Sequence, residues 1–130
     1  MNQFEKDIDV FLQRYNLPNA SKFKPITNEE MQLRINHLRE ELSELQLNTD
    51  NNNWHEILDA LVDLTYIAIG TARMNGMDFE TAWNRIHTVN MQKIRCEKQA
   101  DSKRGTTFDV IKPKDWQPAD LSDLVEVENA

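Results

Sequence analysis

Residues 57–69 read ILDALVDLTYIAI, and within this stretch only Asp59, Asp63 and Thr65 are polar. The stretch is shorter than the ~20 apolar residues of a membrane-spanning helix, and it holds two acids, which argues against a membrane protein. A helix this apolar must be covered by other elements. Residues 57–69 therefore predict the central helix of an all-α fold.

The segments on either side also have helical periodicity. Apolar residues recur at spacings of three and four in residues 3–15 and 35–45, and Thr27-Asn28-Glu29-Glu30 matches a capping box. Asn75-Gly76 is a stop signal for the central helix, and a fourth helix is predicted from Asp78 to about Lys98.

We therefore predict an antiparallel four-helix-type bundle with an extended C-terminal arm. The predicted single domain spans residues 1–130, with a helical core at about 3–98 and the arm at about 99–130. Within the arm, residues 106–111 are predicted as either a short strand or an extended segment.

Composition narrows the class of protein. The 130 residues include 22 Asp and Glu against 15 Lys and Arg, a net charge of −7, which argues against binding to nucleic-acid polymers. The lone cysteine, Cys96, excludes an internal disulfide and a cysteine-based zinc site. The N-terminus, MNQFEKDIDVF, does not resemble a signal peptide. We expect a cytoplasmic protein.

Four carboxylates are predicted to lie on two neighbouring helices. Glu41 and Glu44 are i,i+3 neighbours beside the apolar seam of the second helix, and Asp59 and Asp63 are i,i+4 neighbours on the third. Burying unpaired carboxylates costs several kcal/mol, so arginine partners, protonation or a metal ion must compensate. The arginine partners available from neighbouring helices are Arg34, Arg39 and Arg73.

A metal ion would satisfy all four acids at once. Hard oxygen ligands without His or Cys favour Mg²⁺, or alternatively Mn²⁺. The chain has no Glu-x-x-His sequence, which disfavours a di-iron carboxylate bundle. Because Mg²⁺ takes its remaining ligands from water and substrate phosphates, this cluster points to phosphate-ester chemistry.

The order of motifs resembles the all-α nucleoside triphosphate pyrophosphohydrolases, a superfamily that includes MazG, the phosphoribosyl-ATP pyrophosphohydrolases and the dimeric dUTPases. The resemblance is closest to a short single-domain MazG-like subfamily of bacteria, phages and mobile elements, and it spans about residues 8–121. It rests on Glu40-Glu41-x-x-Glu44, the Asp59/Asp63 pair with Gly70-Thr71-Ala72 and Gly76, Asn90-Met91-Gln92-Lys93, and Lys112-Pro113 followed by Trp116 and Pro118.

The resemblance implies cleavage of a nucleoside triphosphate between its α and β phosphates. It implies Mg²⁺ ligands at Glu41, Glu44, Asp59 and Asp63, and a water-activating role for Glu40. It also implies that the substrate is bound by three further residues: Asn90, Lys93 and Lys112. It implies a homodimer or homotetramer in which the arm completes a neighbour's site.

Two departures from the family pattern bear on this assignment. Ala60 stands where wider superfamily members have Glu, so that Glu56 is an alternative ligand to Asp59. Phe108-Asp109-Val110-Ile111 replaces the Gly-Lys dipeptide often seen before the Lys-Pro of the arm.

Two other functions compete with (d)NTP hydrolysis. One is a non-catalytic helical oligomerisation or adaptor module whose acids are merely salt-bridged, and the other is hydrolysis of a biosynthetic nucleotide such as phosphoribosyl-ATP. A basic run that could attract polyphosphate lies near the fourth helix, at Lys93, Arg95, Lys98, Lys103 and Arg104.

Overall fold

The computed structural model describes residues 1–127 and is mostly helical. Its α-helices are α1 (Gln3–Arg14), α2 (Asn28–Asp50), α3 (Trp54–Met74) and α4 (Phe79–Asn90), and its strands are β1 (Ile94–Arg95) and β2 (Val110–Ile111). Two 3₁₀ turns lie at Gln99–Asp101 and Ser122–Val125. The predicted all-α class is confirmed.

The central helix is α3, as predicted, and both α1 and α2 pack against it. The core cluster consists of Ile8 and Leu12 of α1 with Ile69 and Met74 of α3. Ile26 and Phe79 pack against this cluster. Residues 51–53 join α2 to α3 in a short loop, so these two helices are antiparallel neighbours.

The apolar seams of α1 and α2 are less buried than their periodicity predicts. In α1 the side chains of Phe4, Phe11 and Tyr15 are exposed. In α2 no residue is buried, and Leu42 of its predicted seam is 58 % exposed.

The N-terminus of α2 has the predicted capping box. The Thr27 hydroxyl accepts the backbone N–H of Glu30 at 3.1 Å, and the Glu30 carboxylate accepts the backbone N–H of Thr27 at 3.0 Å. These bonds satisfy two backbone donors that the first turn of a helix leaves without partners.

The Asn75-Gly76 stop ends α3 and holds the α1–α2 linker in place. Asn75 is buried, and its side-chain oxygen accepts the N–H of Ile26 at 2.9 Å while its carbonyl accepts the N–H of Lys24 at 2.9 Å. Gly76 has a φ of +67°, and a Cβ placed on it would lie 1.9 Å from the carbonyl oxygen of Lys22. Only glycine fits this position.

The fourth helix ends at Asn90, whereas the sequence predicted it to continue to about Lys98. Residues 94–95 instead pair with residues 110–111 in an antiparallel ladder, with Ile94 opposite Ile111 and Arg95 opposite Val110. The Cys96 N–H extends this pairing by donating to the Asp109 carbonyl at 3.0 Å. Residues 106–111 are predicted as either a short strand or an extended segment, and the structure has a strand at the last two of these residues, 110–111.

The chain divides into two compact units. Unit 1 comprises Met1–Glu80 with the C-terminal residues from Leu124, and unit 2 comprises Thr81–Asp123. The single domain predicted over residues 1–130 stays a prediction, and the last three residues of its arm lie outside the described residues. In the part of the chain that the structure describes, none of the helices is both long and apolar enough to cross a membrane.

Candidate active site

Glu41 is one of two predicted carboxylate ligands, with Asp63, that are half-buried. Its side chain is 15 % exposed, and its Oε2 is buried with no hydrogen-bond partner within residues 1–127. A buried carboxylate oxygen without a donor costs free energy. A cation bound to this Glu41 oxygen would offset the free-energy cost of its burial.

The three other carboxylates act on Glu41. Burial raises the pKa of Glu41, and the negative charges of Glu44, Asp63 and Asp59 raise it further. His37 acts in the opposite direction, and its Nε2 lies 3.9 Å from Oε1 of Glu41. The carboxylates of α2 and α3 thus lie close enough to repel one another, as the helix spacing predicts.

The three arginines named as alternative partners bind elsewhere. Arg34 donates to the Thr71 hydroxyl and to the Ile67 carbonyl, both at 3.0 Å. Arg73 binds both carboxylate oxygens of Asp9. Arg39 donates to the Asn36 side chain at 3.3 Å. None of these bonds involves Glu41, Glu44, Asp59 or Asp63, so within residues 1–127 they do not favour the alternative in which these arginines neutralise the cluster.

Asp59 and Glu56 are the two alternatives for one metal ligand, and they differ in their electrostatic effect on Glu41. Asp59 is among the groups that raise the pKa of Glu41. The Glu56 side chain is 47 % exposed and has an oxygen 3.4 Å from Nε2 of His55. The structure thus brings Asp59 to the cluster and directs Glu56 to a histidine of its own helix.

The donor chemistry of the cluster fits a divalent cation. Glu41 offers an unpartnered oxygen, Asp63 is half-buried, and Glu44 and Asp59 are exposed. Within residues 1–127 no three His, Cys, Asp or Glu side chains are already arranged to hold a metal ion. Glu40 is exposed on α2 immediately before Glu41.

The predicted substrate-binding lysines come together in unit 2. Lys93 Nζ lies 5.1 Å and Lys112 Nζ 4.9 Å from the centroid of the Trp116 ring. Both lysines line a cavity of about 640 Å³. Asn90, the third predicted residue, ends α4, is exposed, and accepts the N–H of Lys93 through its carbonyl.

Sequence reasoning missed the role of Trp116 and a polar network beside these lysines. Asp109 accepts the Ser102 hydroxyl at 2.8 Å and binds Arg104 through both oxygens at 3.1 Å. The bonds from Ser102 and from the N–H of Val110 lower the pKa of Asp109 most. The spacing of Lys112 and Trp116 around Pro113 was the available signal, because a turn brings such residues together.

A protein-family model for phosphoribosyl-ATP pyrophosphohydrolase matches residues 9–90. The chain therefore belongs to this family, within the MazG-like all-α nucleoside triphosphate pyrophosphohydrolase superfamily. It is accordingly an enzyme that hydrolyses phosphoanhydride bonds, which excludes the non-catalytic adaptor. The matched segment includes all of α2 and α3, and it ends before Lys93. No curated protein matches the sequence.

Proposed function

We propose that this enzyme is a Mg²⁺-dependent nucleoside triphosphate pyrophosphohydrolase. Its substrate is a (d)NTP, which it cleaves to a (d)NMP and pyrophosphate. The observation that carries the proposal is the buried, unpartnered Oε2 of Glu41 among three further carboxylates on α2 and α3. Because neighbouring arginines bind elsewhere, the cluster needs a cation from solution.

Glu41, Glu44, Asp59 and Asp63 are the residues that would hold Mg²⁺. When bound, the ion supplies positive charge to the phosphoryl oxygens of the substrate. Mn²⁺ has the same preference for oxygen ligands and is the expected substitute.

Glu40 orients and deprotonates the attacking water. It lies on the same helix as two ligands but is exposed, so its carboxylate is accessible to solvent. The water oxygen bonds to phosphorus of the α–β anhydride while the bridging P–O bond breaks, and the water proton passes to Glu40. A positioned general base contributes about 10²–10⁴-fold to such a reaction.

The phosphates of the substrate are bound by Lys93 and Lys112, and Asn90 contacts phosphate or sugar. The two ammonium groups lie about 5 Å from the centroid of one aromatic ring, at 5.1 and 4.9 Å, and both lysines line one cavity. A cytoplasmic location agrees with a buried cysteine, Cys96, that forms no disulfide.

A second copy of the chain covers the apolar side of α1 and α3. Leu61, Val62 and Tyr66 are exposed there and line a groove of about 280 Å³ with Phe4. An apolar surface of this kind on a soluble enzyme is typical of an oligomer interface. We expect a homodimer, or a homotetramer built from it, and Val62→Glu should dissociate it in sedimentation equilibrium. Leu33→Glu, at an exposed leucine of α2, is the matched control.

Phosphoribosyl-ATP is the second candidate substrate, because the matching family is described as phosphoribosyl-ATP pyrophosphohydrolase. The (d)NTP is preferred because the arm motif around Lys112 and Trp116 resembles the short MazG-like subfamily. Both substrates contain the same α–β anhydride, so the carboxylate chemistry is common to them.

The test is a substrate panel with the full chain, containing all (d)NTPs and phosphoribosyl-ATP, with Mg²⁺ or with EDTA. We expect pyrophosphate and a monophosphate only with Mg²⁺, and at least a 10³-fold loss of kcat in Glu41→Gln and Asp63→Asn. Glu97→Gln, at an exposed acid of unit 2, should retain activity. Turnover in EDTA, or full activity in both site variants, would overturn the metal assignment, and turnover of phosphoribosyl-ATP alone would overturn the (d)NTP assignment.

A further inference from the structure

Trp116 is the centre of the cation pair in unit 2. Lys93 approaches from the end of α4 and Lys112 from the strand β2, and each ammonium lies about 5 Å from the same ring centroid, at 5.1 and 4.9 Å. The two ammonium groups are therefore no more than about 10 Å apart. The electron-rich face of an indole attracts cations, which holds two like charges near one another.

The ring itself is fixed in position. Its Nε1–H donates to the carbonyl of Val89, in the last turn of α4, at 2.6 Å. The backbone N–H of Trp116 donates to the carbonyl of Pro113 at 3.0 Å, which closes a turn after Lys112. Trp116 is half-buried. These contacts join the segment that holds Lys112 to the helix end that precedes Lys93.

The cavity beside the ring is positive. Lys93, Lys103, Arg104 and Lys112 line it, and so do two acids, Asp101 and Asp109. Asp109 is engaged by Ser102, Arg104 and the N–H of Val110, so its charge is compensated within the protein. The volume of the cavity, about 640 Å³, lies within the ~300–1,000 Å³ range of small-molecule sites.

The positive cavity contrasts with the rest of an acidic chain. Residues 81–123 contain eight Lys and Arg against six Asp and Glu, whereas residues 1–80 contain seven against fourteen. In the absence of metal, an anionic ligand should therefore favour unit 2 over unit 1.

We propose that Trp116 is a positioning residue that presents Lys93 and Lys112 to a phosphate chain in this cavity. The ligand class is a linear polyphosphate, either free or as the tail of a nucleotide. A part for Trp116 in catalysis rests on the proposed function. Binding of the phosphate chain by Lys93 and Lys112 can be measured without hydrolysis. The lysines contact the ligand, and Trp116 acts through them.

The test is calorimetric titration of the full chain with inorganic tripolyphosphate in EDTA. Metal-free carboxylates repel the probe, so the heat reports on unit 2. We expect the wild-type chain to bind, Trp116→Leu to bind about tenfold more weakly, and Trp116→Phe, which retains an aromatic face but loses the Nε1–H bond to Val89, to bind about threefold more weakly. Phe108→Leu, at a ring that is 88 % exposed in the same arm, is the matched control and should bind as wild type.

A double-mutant cycle separates positioning from a general loss of structure. Lys93→Gln should weaken tripolyphosphate binding about fivefold in the wild-type chain and less than twofold in the Trp116→Leu chain, because the lysine is then no longer held. In turnover, Trp116→Leu should raise KM about tenfold with kcat within threefold.

Three results would overturn this proposal. They are absence of tripolyphosphate binding by the wild-type chain, equal losses in the Leu and Phe variants, and additive losses for Trp116 and Lys93. Each of these three results can occur whether or not the chain hydrolyses nucleotides. Failure of this proposal can therefore be distinguished from failure of the proposed function. Tripolyphosphate binding by a chain that hydrolyses no (d)NTP in the presence of Mg²⁺ supports the cavity and refutes only the proposed (d)NTP hydrolysis.

Discussion

The guanidinium of Arg73 binds both carboxylate oxygens of Asp9, with Nε–Oδ1 at 2.9 Å and Nη2–Oδ2 at 3.1 Å. This pair joins α3 to α1 away from the carboxylate cluster. Glu5, which is fully buried, has its Oε2 3.7 Å from Nη1 of the same arginine. One arginine therefore compensates two acids in the interior.

Arg73→Met should reduce the free energy of unfolding by about 3–5 kcal/mol, because two enclosed carboxylates lose their counter-charge. Urea unfolding measures the loss. Arg85→Ala breaks the exposed pair with Asp123 and should cost about 1 kcal/mol or less. Similar losses of unfolding free energy in both variants would contradict the expected difference between the enclosed and the exposed ion pair.

Glu41→Gln should stabilise the metal-free protein while removing its activity. Since the pKa of Glu41 is raised in the folded state, the stability linked to its proton is present at low pH and is lost as pH rises through the folded pKa. At pH 7 the ionised carboxylate is thus unfavourable, and its neutral replacement should raise Tm because it removes the repulsion from Glu44, Asp63 and Asp59.

The difference in Tm between wild type and Glu41→Gln should shrink as pH falls toward the pKa of Glu41. Addition of Mg²⁺ should raise the Tm of the wild type and leave that of the variant nearly unchanged. Thermal unfolding at several pH values, with and without Mg²⁺, measures both effects. A variant that is less stable than wild type in EDTA at pH 7 would refute the repulsion argument.

Asp59→Asn should reduce kcat far more than Glu56→Gln. Asp59 acts on the pKa of Glu41, whereas Glu56 lies beside His55. We expect Asp59→Asn to lose at least 10²-fold in kcat, with weaker Mg²⁺ binding, and Glu56→Gln to remain within threefold. Steady-state rates over a Mg²⁺ titration distinguish them, and the reverse order would make Glu56 the ligand.

Gly76→Ala should destabilise the protein far more than Gly105→Ala. Both glycines have a φ of +67°, but a Cβ on Gly76 would clash with the Lys22 carbonyl, whereas a Cβ on Gly105 meets no atom within 4 Å. We expect losses of about 3–4 and about 1 kcal/mol in chemical unfolding. Equal losses would mean that backbone strain alone decides, without the steric contact.

Periodicity and capping signals were sufficient to predict the helices of unit 1. The Thr27 capping box and the Gly76 stop follow from local spacing along the chain. The proximity of Glu41 to the α3 acids follows from the short loop that makes α2 and α3 antiparallel neighbours. The early end of α4 was not predictable, because β1 forms by pairing with residues far along the chain. For the same reason sequence reasoning did not place Trp116 between Lys93 and Lys112.

The family match ends at Asn90, and the ring that holds the two lysines follows it at Trp116. The carboxylates proposed to bind Mg²⁺ and the lysines proposed to bind phosphate are therefore carried by consecutive, non-overlapping stretches of the sequence.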